Sequence, residues 1–331
     1  MKLITHDRNG IARAAAMVGS DEAVDLLALA ERAGLPRAAD FGSMLSLIRA
    51  GDAALDDARR LVQGATAADR QPMAGLRLLA PLPLPEQIRD FANYELHVRQ
   101  ALTSSMRLRA QAEVDPEQAF ERLQASGNFT IPPVWYQRPM YYKANRFNVV
   151  GPEAEIEWPS FSQRMDYEME LAVIIGRRVR DVSEDEAMQA VFGYTIFNDF
   201  SARDTQAEES SFRMGPAKGK DFDTGNAIGP CIVTRDEIDA PEALQMCVRV
   251  NGVERSRTTS GGMQHGIARC ISFLSRSETL YPGEVLAMGT VGNGCGYESL
   301  SFLADGDVVE VEVQGIGVLR NRLVQPPRRQ T

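Results

Sequence analysis

The sequence predicts a β-rich α+β protein in which a small N-terminal domain precedes a larger strand-rich one. Three observations carry that expectation. From Tyr141 onward, short apolar runs rich in β-branched residues alternate with Gly, Pro and Asp clusters, as in LAVIIG (171–176), CVRVNG (247–252) and VVEVEVQGIGVL (308–319). Between such runs Ser183 and Glu186 stand at the S-x-x-E spacing of a helix capping box. The stretch APLPLPEQ, with Pro81, Pro83 and Pro85, cannot lie inside a helix, because proline fixes φ and lacks an amide donor. It divides residues 1–80 from 81–331.

The elements follow in order. Residues 1–5 read as a short strand before a DRNG turn, and Ala- and Leu-rich helical stretches are expected after it. Residues 96–124 are charged at helical spacing and break at SGNFTIPP. The capped helix at Ser183 leads into a strand, GYTIFNDFSARD, that carries Asp199 near its end. The terminal PPRRQT reads as a disordered tail. There is no internal repeat.

Composition bounds the function. The chain has 331 residues, 44% of them hydrophobic, enough for one large core. The net charge of −9 carries no basic nucleic-acid footprint. No apolar run approaches the roughly 18 residues that span a bilayer, and MKLITHDRNG lacks the apolar core of a secretory signal. A cytoplasmic protein without membrane or nucleic-acid partners is expected. Cys231, Cys247, Cys270 and Cys295 form no CxxC pair, so they are expected as packing residues rather than a structural zinc site. The glycine-rich GNGCG follows no strand–helix nucleotide pattern.

The chemistry is most legible in MDYEMELAVIIG. Glu168 and Glu170 are two apart at the entry to an apolar strand, and a strand's period of two points both to one face. Like charges side by side repel unless something positive sits between them. A lone E-x-E usually faces water, but the strand ending at Asp199 offers a third carboxylate. Three converging carboxylates are hard-cation chemistry, suited to Mg²⁺, Mn²⁺ or Ca²⁺ rather than zinc.

Four motifs in order, DYEMELAVIIG, NDFSARDTQ, GKDFDTGNAIGP and the MGT of residues 288–290, resemble the fumarylacetoacetate hydrolase superfamily over roughly residues 80–323. The resemblance implies a catalytic domain built on a mixed, partly barrel-like sheet, and a homodimer. Glu168, Glu170 and Asp199 match the family's metal ligands. In RDFANYELH, Asp90 and His97 match a fourth ligand and a catalytic His seven residues later, as in the larger fumarylacetoacetase-like members. Imidazole titrates near neutrality and suits a general base, given an orienting carboxylate. Gln100 occupies the position where smaller acylpyruvase-like members carry that carboxylate; Glu298, after the GT motif, is the candidate here.

Arg203, Gln206 and Lys220 match the oxyanion stabilisers, with Lys218 a nearby competitor that the K-x-F-x-T pattern disfavours. Thr290 resembles a substrate-contacting hydroxyl, and Tyr141, Tyr142 and Lys143 fall where relatives bind substrate. The implied reaction is hydrolytic cleavage of a carbon–carbon bond in a small β-diketo acid. Decarboxylation or keto–enol isomerisation of an oxaloacetate-like acid would use the same ion without a hydrolytic water. A non-catalytic diketo-acid-binding protein is the third reading, disfavoured because acids, base and oxyanion donors occur together.

Overall fold

The computed structural model describes residues 1–212 and 215–326; apart from Pro326, the PPRRQT tail lies outside them. The chain opens with a β-hairpin, Lys2–Arg8 and Ile11–Val18, turned at Asn9 and Gly10. Both turn residues have positive φ (57° and 82°), the twist that a two-residue hairpin needs. The Ala-rich stretch after the DRNG turn is therefore strand, contrary to the helix expected from its composition. Ala14, Ala15 and Ala16 are buried in the core, where pairing outweighs alanine's helix propensity. A third strand, Glu22–Asp25, follows, and then the helices Leu26–Arg32, Met44–Ala50 and Asp52–Gln63.

The Lys2–Arg8 strand pairs with Asn226–Thr234, so the N-terminal strands extend the large sheet. At the centre of that sheet is Met169–Ile175, antiparallel to Val191–Asp199 on one side and to Val285–Ala287 on the other. Beyond Val285–Ala287 lie Ile88–Phe91, in parallel, and Tyr141–Ala144. The chain then rounds Arg146–Asn148, and Val149–Val150 pairs in parallel with Asn226–Thr234. That pairing joins the two limbs of the sheet and makes the wall barrel-like, as the family resemblance implies.

The two faces of the wall bury different partners. Leu171, Val173 and Ile175 pack with Val248, Val311 and Leu319 of a second, five-stranded sheet, and with the Ile267–Ser275 helix. Ala172, Ile174, Phe197 and Ile228 pack with Leu26, Phe41 and Leu47 from the N-terminal residues. The period of two places Glu168 and Glu170 on this second face, at its polar end.

The capping box at Ser183 is reciprocal, with Ser183 Oγ accepting from the Glu186 amide and the Glu186 carboxylate accepting from the Ser183 amide. The short helix Glu184–Ala187 it starts turns the chain back, so that Val191–Asp199 runs antiparallel to Met169–Ile175. Met169 then faces Asn198, and Asp199 lands beside Glu168. Among the described residues, no helix is long and apolar enough to cross a membrane.

Candidate active site

Asp90, Glu168, Glu170 and Asp199, all buried, each offer a carboxylate oxygen, and those atoms lie within 4.8 Å of one another. Asp90 arrives from Ile88–Phe91, two strands from Glu170 across Val285–Ala287. Glu170 accepts from the Gly289 amide and from Thr290 Oγ1, both at 3.1 Å. The GT motif therefore touches a carboxylate of the cluster directly. Gly289 is required there: its φ is +92°, and a Cβ would sit 2.1 Å from the Phe91 carbonyl oxygen.

The electrostatics follow from burial and crowding. Burial, with repulsion from Glu170 and Asp199, pushes Asp90 well above the usual carboxylate range. Glu170 is raised by burial and by Glu168 and Asp199, and Asp199 by burial and Glu168 against the pull of Lys220. Glu168 goes the other way: burial opposes its ionisation, but Arg203 and Lys220 outweigh it and hold the carboxyl well below its ordinary range.

Lys220 Nζ donates to Glu168 Oε2 at 2.6 Å and to Asp199 Oδ2 at 2.5 Å. It brings one positive charge to four carboxylates. Asp90 Oδ1 and Asp199 Oδ1 are buried and accept no hydrogen bond, which a satisfied interior rarely tolerates. Two orphaned oxygens in an all-oxygen, acid-rich cluster fit a hard divalent cation.

Arg203 opens the Arg203–Ser211 helix and bridges three side chains. Its Nε donates to Asp166 Oδ2 at 2.8 Å, and its Nη1 lies 2.7 Å from Glu168 Oε1 and 2.9 Å from Gln206 Oε1. Asp166, fully buried, also accepts from the Gly296 and Tyr297 amides. The approach needs Gly296, whose Cβ would stand 2.5 Å from Asp166 Oδ1. Sequence reasoning missed Asp166, although D-Y-E-M-E places carboxylates at three alternate positions, 166, 168 and 170, a spacing that in extended chain sends all three to one side.

His97 lies in the first turn of the Glu95–Ala110 helix, and its Nδ1 is 3.0 Å from Glu298 Oε1. The Asn293 and Cys295 amides donate to the two Glu298 oxygens and fix the carboxylate. With Nδ1–H held by Glu298, Nε2 keeps the ring's basic lone pair. Cys295 pairs through its backbone with Glu168 and so ties this dyad to the carboxylate cluster. Burial and the nearby Asp166 push its thiol well above the ordinary range, against any role as a nucleophile.

Of the remaining candidates, Tyr142 faces the cluster and donates from Oη to Asp199 Oδ2 at 2.6 Å. Tyr141 and Lys143 alternate with it on the strand and point the other way; the Tyr141 ring packs at a tilt against Phe91, and Lys143 is exposed. Lys218 donates to the Asp221 carbonyl and touches none of the carboxylates.

The fumarylacetoacetate (FAA) hydrolase C-terminal family matches residues 87–324. The mitochondrial oxaloacetate tautomerase FAHD2A of Bos taurus is 30% identical over 284 residues, 85% of this chain and 80% of its own. The 2,4-didehydro-3-deoxy-L-rhamnonate hydrolase of a Sphingomonas strain is 36% identical over 188 residues, 56% of this chain and 65% of its own. Among solved structures, the fumarylacetoacetate hydrolase of Exiguobacterium antarcticum superposes with a TM-score of 0.72 at 28% identity, over 98% of this chain and 99% of that one.

Proposed function

The chain belongs to the fumarylacetoacetate hydrolase family, and from that premise we propose that it is a divalent-metal-dependent hydrolase that cleaves a carbon–carbon bond in a small β-diketo acid. The observation that carries the reading is the His97–Glu298 dyad beside four buried carboxylates. Asp90, Glu168, Glu170 and Asp199 would hold the ion, for which Mg²⁺ or Mn²⁺ are the natural choices and Ca²⁺ a third. When bound, that ion supplies Lewis acidity toward the oxygens of the keto acid and stabilises an enolate leaving group.

The protein's own side chains do the rest. Glu298 orients the His97 ring and leaves Nε2 to take a proton from water as it attacks the carbonyl. Arg203, held by Asp166, and Lys220 carry the positive charge that steadies the developing oxyanion. Gln206, bonded to Arg203 through its carbonyl, keeps its amide NH₂ as a further donor. Thr290 and Tyr142 bond Glu170 and Asp199, and so support the ligands. The His97 proton then passes to the departing enolate carbon.

A second reading has one observation behind it: a relative aligned over 85% of this chain is an oxaloacetate tautomerase. The same dyad would then move a proton on carbon instead of activating water. A panel of acylpyruvates and oxaloacetate, assayed with each ion in ¹⁸O-labelled water, separates the two. Hydrolysis places label in the product acid; loss of enol absorbance without label sinks the hydrolytic reading. Full turnover in metal-stripped protein would sink both.

A further inference from the structure

The side of the His97–Glu298 dyad away from its basic nitrogen carries a third donor. Cys295 Sγ lies 3.9 Å from His97 Nδ1, the atom that meets Glu298 Oε1 at 3.0 Å. Imidazole nitrogen, thiol sulfur and carboxylate oxygen lie within 4.8 Å of one another. This set differs from the neighbouring all-oxygen cluster, because it is the mixed N/S/O chemistry that zinc selects.

The spacing suits the ion. With Zn–N near 2.05 Å and Zn–S near 2.3 Å at a tetrahedral angle, nitrogen and sulfur stand about 3.6 Å apart and nitrogen and oxygen about 3.4 Å. The observed 3.9 and 3.0 Å reach those values with shifts of about 0.4 Å. A route also exists. A cavity of about 360 Å³ is lined by Cys295 and Glu298, with Gln100, Asn293 and Arg255, and none of the four clustered acids lines it.

We infer that His97, Cys295 and Glu298 form a second metal site, an inhibitory zinc site entered from this cavity, with water as the fourth ligand. The inference rests on His97 being the base. A zinc ion there takes the place of the proton between Nδ1 and Glu298. The Cys295 thiol loses its proton to solvent on coordination. The ring proton leaves Nδ1, and the neutral ring carries one on Nε2 instead, so a single proton is released per zinc bound. Nε2 is then an N–H and cannot accept a proton from water. One hard ion switches the enzyme on, and one softer ion bound on the far side of the same histidine switches it off.

The test uses the full chain saturated with Mn²⁺. Zinc is titrated in, bound zinc is counted after gel filtration, and cobalt replaces zinc in a parallel optical titration. The expected result is thiolate-to-cobalt charge-transfer absorption in the wild type and none in Cys295→Ser or Cys295→Ala. The variants should bind one zinc fewer per chain and need roughly 10- to 100-fold more zinc for half-inhibition. Inhibition is read against each variant's own Mn²⁺-supported turnover, and circular dichroism checks that they fold.

Absence of the thiolate band in the wild type would overturn the inference. So would undiminished zinc inhibition in the variants, which would put the effect at the carboxylates. Should no diketo acid be turned over, the functional proposal fails while the cobalt band still decides whether the site exists.

Discussion

Tyr142 Oη donates to Asp199 Oδ2 at 2.6 Å although their strands stand four steps apart in the large sheet. In a flat sheet four steps span about 19 Å. The bond therefore measures how far the wall curls, and the curl gathers carboxylates from separate strands. Tyr142→Phe keeps the ring and deletes the donor. The expected loss is about 1.5–3 kcal/mol of unfolding free energy in urea, the range for a hydrogen bond to a charged group, with the metal-binding stoichiometry unchanged. Wild-type stability in the variant would mean that the bond does not form in solution.

Lys220 is the cation that Glu168 and Asp199 share. Lys220→Met leaves both buried carboxylates without it. In the presence of a chelator the variant should lose about 3–5 kcal/mol, as when one partner of a buried ion pair is removed, and a divalent ion should return part of that. Denaturant titration with and without Mn²⁺ reads both numbers, and the oxyanion role proposed for Lys220 predicts that turnover falls as well.

Glu170 has the opposite character. Burial and its acidic neighbours already disfavour its charge, so Glu170→Gln removes a repulsion from the metal-free protein. Metal-free stability should hold or rise, while metal binding by equilibrium dialysis and turnover should both be lost. A variant that binds metal normally would remove Glu170 from the ligand set.

The same repulsion sets a pH dependence for the metal-free chain. Asp90 and Glu170 titrate above the ordinary range when folded and near pH 4 when unfolded, so between these limits the folded state binds more protons. Metal-free stability should therefore be greatest at the acidic end of that window and decline as pH rises through the raised folded values. Glu168, held low, contributes with the opposite sign, and that contribution is lost only as pH falls below the ordinary range. Thermal unfolding in chelator from about pH 5 to about pH 8 should show a falling midpoint that Mn²⁺ flattens. A midpoint that climbs with pH would contradict the cluster's assigned charges.

His97→Asn separates binding from chemistry. It should leave Mn²⁺ affinity near wild type, because His97 is outside the carboxylate cluster, while turnover falls about 10²- to 10⁴-fold, the usual contribution of a general base. Loss of metal along with activity would place His97 among the ligands.

Local chemistry was readable from the chain alone. The period of two placed Glu168 and Glu170 on one face before any pairing was known. The Ser183–Glu186 spacing located a turn that brings Asp199 back beside them, and motif order pointed to Asp90, His97 and Glu298. Composition misled at residues 11–18, because alanine's preference for helix yields to a hairpin turn at Asn9–Gly10. Three things depended on tertiary structure: the curl that joins Tyr142 to Asp199, the bridge Lys220 makes between Glu168 and Asp199, and the meeting of Cys295 with His97 from nearly 200 residues away. Side-chain periodicity is a property of one strand and is written in its own residues. Which atoms meet across a closed wall is set by register and curvature, and those belong to the whole sheet.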